Sequence, residues 1–243
     1  MRMPPYYAAG QLPIIFDLDG TITRNDTYLP FLVACMASSR RNAYNFPLLP
    51  CYVAQFYLGR INNHTLKEKF LSAVLRRSPI ESLAPVVDSY VARLFRKGLN
   101  SAVFQLLEGF LSEGRFVIIA TASIDLYVNQ IAARLGVENL VCSQVEVQNG
   151  QLTGRLQGPN CHGIEKLERL KNAFGDDLVR QSIAFTDHHA DLPLIQRARQ
   201  SVLVNPSRKT RQRLFKIGYR LKPWDHSNVF YDVTKSSVFP HPA

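Results

Sequence analysis

Two aspartates two positions apart, Asp17 and Asp19, directly follow the apolar run Ile14-Ile15-Phe16 and precede Gly20. Such a run, bounded by Pro13 and Gly20, reads as a buried strand, so both acids fall where a strand gives way to a loop. Carboxylates this close repel, and the pair is tolerable when a divalent cation neutralises it or when one member keeps a proton. That chemistry is metal-assisted or acid–base work. The plainer reading is a solvated Asp-Gly turn in which Gly20 supplies a positive φ.

Three later points repeat the theme of polar groups at strand ends. Thr121-Ala122-Ser123 follows the apolar run Phe116 to Ala120. Hydroxyls and main-chain N–H groups at a strand-to-helix corner can receive an anion, although Ser123 as a helix cap explains the same residue. Lys166 lies on a helix that starts at Gly163, and a lone lysine there ordinarily faces solvent. Asp187 and Asp191 follow the run Ser182 to Thr186. With a helix starting near His188 they lie one turn apart and can look toward one cation. His188 and His189 add groups that can contact a ligand or titrate near pH 7.

The elements that must position these residues follow from periodicity. From Asn100 onward, helices alternate with short apolar strands: a helix over 101–113, a strand at 116–120, a helix at 124–135 and a strand at 139–143. A hairpin with an Asn149-Gly150 turn comes next, then a helix from Gly163, a strand at 182–186 and a fifth at 202–205. This alternation signals a parallel sheet covered on both faces, with ligands beyond the carboxyl ends of its strands. A basic helix over 206–219 carries Arg208, Lys209, Arg211, Arg213 and Lys216, and the last dozen or so residues read as loosely ordered.

Asp26 to Gly98 has a different, helical texture broken by five prolines, and reads as an inserted domain. Within it, 42–59 carries no charge and is rich in aromatics, with Arg40-Arg41 and Arg60 flanking. Pro47, Pro50, Asn45 and Gln55 argue against a spanning helix. A buried helix of the insert is one reading, and an apolar surface touching lipid or a lipid-like substrate is the other. Downstream, Leu66, Phe70, Leu71, Val74 and Leu75 describe an amphipathic helix whose outer face is basic, with Lys67, Lys69, Arg76 and Arg77.

The chain has 243 residues, 46% hydrophobic, enough to bury a large core without staples. Cys35, Cys51, Cys142 and Cys161 are scattered and form no CxxC pair, which favours a reducing compartment. Met1 to Leu12 lacks the apolar segment of a signal peptide, so the sequence predicts a cytoplasmic protein. With 29 Lys and Arg against 19 Asp and Glu, the formal charge is +10, which favours an anionic partner: a phosphorylated metabolite, nucleic acid or an acidic membrane surface.

Taken in order, Asp-Leu-Asp-Gly-Thr, an apolar strand ending in Thr121, Lys166 and Asp-x-x-x-Asp closely resemble the motifs of the haloacid dehalogenase superfamily. The resemblance covers Leu12 to Asn205. With a helical insertion between the first and second motifs, the chain looks most like the phosphoserine-phosphatase-like branch (subfamily IB), which includes phosphatidylglycerophosphate phosphatases. The implied fold is α/β, a Rossmann-like three-layer parallel-sheet core formed by 1–27 and 98–243, with a helical cap at 28–97. The implied activity is Mg²⁺-dependent hydrolysis of a phosphate monoester through an aspartyl-phosphate.

On that resemblance, Asp17 is the nucleophile and Asp19 the acid and base. Thr121, Ala122 and Lys166 hold the phosphoryl group. Asp17, Asp19 through its main-chain carbonyl, Asp187 and Asp191 form the metal set. Asp26 falls where phosphoserine phosphatases place an acid that reads the substrate amine, with a helix N-cap as the competing reading. Ser123 and His188 are further specificity candidates. The implied substrate is a small phosphorylated metabolite or a lipid phosphate, with peripheral contact to the inner face of an anionic membrane and no nucleic acid partner. The alternative from another class is a non-catalytic basic binding protein that recruits nucleic acid or a partner through 208–216.

Overall fold

The computed structural model describes residues 11–38, 48–224 and 227–235. In chain order the elements are β1 (Ile14–Phe16), α1 (Tyr28–Ser38), α2 (Leu49–Tyr57), α3 (Asn63–Leu75), α4 (Ala84–Lys97), α5 (Ser101–Ser112), β2 (Val117–Ile124), α6 (Asp125–Leu135) and β3 (Asn139–Ser143). They continue with β4 (Val145–Gln148), β5 (Gln151–Leu156), α7 (Ile164–Phe174), α8 (Asp176–Gln181), β6 (Ile183–Thr186), α9 (Leu192–Arg197), β7 (Gln200–Val204), α10 (Arg208–Lys216), β8 (Tyr219–Trp224) and β9 (Ser227–Lys235).

β1 is three residues long, and every one is fully buried. A strand buried on both faces needs cover on both, and helices supply it here. Ile14 and Phe16 point into a core shared with α1, α3, α4, α5 and α6, while Ile15 points the other way, against Leu167, Leu170, Val179 and Leu194 from α7, α8 and α9. The period-2 alternation of a strand thus divides the molecule into three layers. Strands run in the order β3-β2-β1-β6-β7-β9-β8. The first five are parallel, with Ile15 paired to Ile118 on one side and to Ala184 on the other. β1 lies between the two directions of winding, where the ends of β1 and β6 open a crevice.

The expected α/β parallel-sheet fold is therefore present, with differences in detail. β2 runs on through Thr121, Ala122 and Ser123 to Ile124, with its pairing to β3 shifted between Ala120 and Ile124. The polar trio is thus the irregular end of a strand, and α6 begins one residue later than expected, at Asp125, with Ile124 as its cap. Part of the C-terminal segment expected to be loose is instead β9, which pairs antiparallel with β7 and carries β8 as the outer strand. The apolar half of that hairpin, Tyr219 and Leu221, closes a small third core with Ile195, Leu203 and Leu214.

The helices α1 to α4 lie in sequence between β1 and α5, and their buried faces join the larger core. On the other flank, the β4–β5 hairpin rests on α3. A Cβ at Gly154, which has φ +84°, would lie 2.6 Å from Ser72 Cα. Glycine is what permits this approach. Arg77 N–H donates to Leu152 O at 2.8 Å, and Leu156 N–H to Glu68 Oε1 at 3.0 Å, stitching the hairpin to α3 and the turn after it.

The uncharged stretch 42–59 lies partly outside the described residues. Its described part, α2, fully buries only Leu49, whereas Tyr57 is 82% and Leu58 69% exposed. A simply buried helix is therefore corrected to one that leaves an apolar face at the surface. Among the described residues no helix is long and apolar enough to cross a membrane.

Candidate active site

Asp17 leaves β1 with its N–H donating to Phe185 O at 2.8 Å, so β1 and β6 together aim its side chain beyond the sheet. The chain then coils through a tight irregular turn, 18–22, in which Gly20 adopts φ +74°. A Cβ at Gly20 would sit 2.7 Å from Asp187 Cγ, so the residue's bareness lets the acid after β6 approach the acids after β1. All of this faces one cleft of about 710 Å³.

Lys166 is the centre of charge. It is 3% exposed, and its Nζ donates to Asp17 Oδ1 at 3.0 Å and Asp191 Oδ2 at 2.7 Å. The expectation that a lone helical lysine faces solvent fails because α7 packs against the sheet and points this residue at the strand ends. Burial alone disfavours its charge, yet the two carboxylates override that and hold its pKa above the ordinary lysine value. Asp191 also accepts from Thr186 Oγ1 at 2.7 Å. It stands at the end of a single 3-10 turn, 189–191, rather than one turn along an α-helix from Asp187.

One lysine does not balance this cluster. Burial pushes Asp17 up to about 8, with Asp191, Asp19 and Asp187 adding to the rise and Lys166 opposing it. Asp187 is pushed up to about 6, again mainly by burial and then by Asp191. Among the described residues no three His, Cys, Asp or Glu side chains form a ready metal cage. Lys166 and Thr186 occupy Asp191 Oδ2, and both carboxylate oxygens of Asp19 accept hydrogen bonds from Thr27 or Ser123. What faces the cleft is an all-oxygen set centred on Asp17 and Asp187, which suits a hard cation such as Mg²⁺ that retains most of its waters.

Asp19 is held on three sides. Oδ1 accepts from Thr27 N–H at 2.7 Å and Thr27 Oγ1 at 2.6 Å, and Oδ2 accepts from Ser123 Oγ at 2.6 Å. Ser123 is thus a partner of Asp19 rather than a helix cap. Thr121 is fully buried, and its Oγ1 accepts from Ser123 N–H at 3.0 Å; Ala122 and Ser123, not Thr121, line the cleft. Asp26 lines the cleft too, but its Oδ2 accepts from Leu29 N–H at 3.0 Å in the manner of an N-cap on α1.

His188 reaches the cleft and accepts Ala190 N–H on Nδ1 at 3.1 Å. Burial lowers its pKa, and burial together with His188 and Arg213 lowers His189 to about 4. His189 meets Arg213 and Thr210 of α10.

Lys67 belongs to the site although its helix was expected to turn it outward. It is 9% exposed and lines the cleft. Its Nζ donates to Ala122 O and, at 3.0 Å, to Asn160 Oδ1, and lies 4.9 Å from the centre of the Tyr28 ring. Burial lowers its pKa to about 8 against the pull of Asp19 and Asp26. The signal was present in the spacing, since Lys67 precedes Phe70, Leu71 and Val74 by three, four and seven residues and so shares their apolar stripe. Thr27, Tyr127 and Asn160 were also missed, and no local pattern marks them.

The doubly wound sheet thus gathers acids from the ends of β1 and β6 around one buried lysine. The model of the haloacid dehalogenase-like hydrolases matches residues 14–196, and the chain belongs to that family. It is similar to protein CicA of Caulobacter vibrioides, 28% identical over 185 residues that make up 76% of this chain and 82% of that protein. It is also similar to the phosphoserine phosphatase SerB1 of Mycobacterium tuberculosis, 25% identical over 218 residues, 85% of this chain and 69% of the relative. In fold it resembles a Bordetella pertussis protein of unknown function, with a TM-score of 0.74 at 22% identity over 86% of this chain and 96% of the other. A substrate-bound phosphoserine phosphatase structure superimposes with a TM-score of 0.58 at 18% identity, covering 84% and 90%. The sequence-based assignment to this superfamily, and to an enzyme of its phosphatase type, agrees with these relatives.

Proposed function

We propose that the chain hydrolyses phosphate monoesters through an aspartyl-phosphate on Asp17, with Mg²⁺ as cofactor. The observation that carries this reading is the Lys166 ammonium fixed between Asp17 and Asp191 at the floor of a cleft that Ala122 and Ser123 also line. An Asp17 oxygen attacks phosphorus as the bond to the leaving oxygen breaks, and Asp19 gives that oxygen a proton. Asp19 then takes a proton from the water that cleaves the acyl-phosphate. Lys166 and the main chain at Ala122 receive the phosphoryl oxygens. Asp17, Asp187 and the Asp19 carbonyl, backed by Asp191, would hold Mg²⁺, which when bound screens the repulsion between anionic nucleophile and anionic substrate. We assign 28–97 as a cap over a core formed by 1–27 and 98–243.

Two substrate classes fit. The relatives named phosphoserine phosphatases favour a small phosphorylated metabolite. The cleft wall favours a lipid phosphate: Leu29, Val53, Phe56, Tyr57, Leu66 and Phe70 from α1, α2 and α3 line it. Asp26 as an N-cap removes one reason to expect an amino-acid substrate. The basic chain and the exposed Tyr57 and Leu58 then suit peripheral contact with an anionic membrane surface. A phosphate-release screen over soluble and lipid phosphate monoesters, with and without Mg²⁺, tests both readings. Release that ignores a chelator sinks the mechanism, and preference for soluble esters in the presence of vesicles sinks the lipid class.

A further inference from the structure

Behind Asp19 lies a set of buried hydroxyls that the proposed chemistry leaves unused. Thr27 and Tyr127 are fully buried, Ser123 nearly so, and they come from three separate elements. Thr27 sits just ahead of α1, Ser123 near the end of β2 and Tyr127 on α6. Tyr127 OH donates to Ser123 Oγ at 2.8 Å and lies 3.0 Å from Thr27 Oγ1, and the Thr27 and Ser123 hydroxyls are 3.2 Å apart. This triangle points two hydroxyls at Asp19, one to each carboxylate oxygen. From the far side, Tyr90 OH of α4 donates to Thr27 O at 2.7 Å, and the Phe31 ring packs on Tyr90 and Tyr127 with centroids 5.4 and 4.6 Å away.

Buried hydroxyls are tolerated when they are bonded, and these are bonded to one another and to a single carboxylate. The arrangement is more than a turn requires. An aspartate two residues past a strand end can rotate about its side-chain bonds, and a misaligned carboxyl group transfers its proton poorly.

We propose that Thr27, Ser123 and Tyr127 are positioning residues for Asp19, a three-hydroxyl frame that fixes the carboxyl group where the leaving oxygen departs. This rests on the assignment of Asp19 as the proton donor to that oxygen. In the step concerned, the phosphorus–oxygen bond to the leaving group breaks, phosphorus bonds to Asp17, and the leaving oxygen takes the proton from Asp19. Loss of the frame weakens that proton delivery while leaving Asp17, Lys166 and Asp187 in place.

The test uses the full chain with Mg²⁺ and two probes, p-nitrophenyl phosphate, whose leaving group departs with little help, and phenyl phosphate, whose leaving group needs a proton. The quantity is kcat/KM, which covers events only through departure of the leaving group. Positioned general acids contribute about 100- to 10,000-fold, so partial misplacement in Thr27→Val or Tyr127→Phe is expected to lower kcat/KM on phenyl phosphate about 10-fold or more. On p-nitrophenyl phosphate the same variants lose less than about 3-fold, and Thr27→Ser restores the parent ratio. Because each ratio is taken within one protein preparation, a loss of folded material cancels. Equal losses on both probes in both variants, or Thr27→Ser behaving like Thr27→Val, overturn the proposal. Turnover that survives Asp17→Asn overturns the phosphatase mechanism beneath it instead.

Discussion

Replacing Asp17 by Asn removes a carboxyl group that the fold, without its cation, strains to keep charged. Burial and three neighbouring acids push Asp17 from 3.8 up to about 8 despite the hydrogen bond from Lys166. A carboxyl raised in the folded state contributes stability that is fully present below its unfolded pKa and is lost as pH rises through the folded value. At about 1.36 kcal/mol for each pH unit, the span from 3.8 to about 8 sets a ceiling of about 6 kcal/mol for the charge-related loss in chelated parent protein. Asp17→Asn lacks that loss, though it also gives up an ion pair with Lys166. The variant's stability relative to the parent is therefore expected to climb by about 2 to 3 kcal/mol between pH 4 and pH 8 in chelator. Urea denaturation at several pH values measures it. Adding Mg²⁺ at pH 8 stabilises the parent and not the variant, which closes the gap. Parallel stability curves for parent and variant across pH 4 to 8 would refute the account of a charge-strained cluster.

Lys166→Met leaves Asp17 and Asp191 buried without their shared ammonium, and is expected to cost about 3 to 5 kcal/mol at pH 7 by denaturant titration. Gly20→Ala forces a side chain against Asp187 and a positive φ onto alanine; it should cost about 1 to 2 kcal/mol of stability and weaken Mg²⁺ binding measured by calorimetry. Lys67→Met removes the only lysine of α1 to α4 that lines the cleft among the described residues, and should raise KM with a smaller effect on kcat. Asp26→Ala should lower stability by about 1 kcal/mol, the cost of an N-cap, with turnover nearly unchanged.

Much of this was legible because strand ends are written in one dimension. Ile14 to Asp19 and Ile183 to Asp187 each place an acid after an apolar run, and parallel pairing of β1 with β6 brings them together without further information. Lys166 could be placed only through resemblance, since a lysine on a helix carries no sign of the face it occupies. Lys67 was readable from its apolar stripe, but the basic neighbours Lys69, Arg76 and Arg77 masked it. Thr27, Ser123 and Tyr127 meet only when α1, β2 and α6 pack, at separations of up to 100 residues, so no window of sequence holds them together. The C-terminal hairpin was missed because it pairs antiparallel with β7 after the alternation of helices and parallel strands has ended.

The most direct measurement is to find where phosphate travels. Acid-quenching the Mg²⁺-loaded protein during turnover of a labelled phosphate monoester, followed by peptide mapping, should place the label on the peptide that contains Asp17, in a form that hydroxylamine removes. Asp17→Asn should carry none and release no phosphate. Phosphate released at the parent rate by Asp17→Asn, or a label mapped to any other residue, would contradict the account.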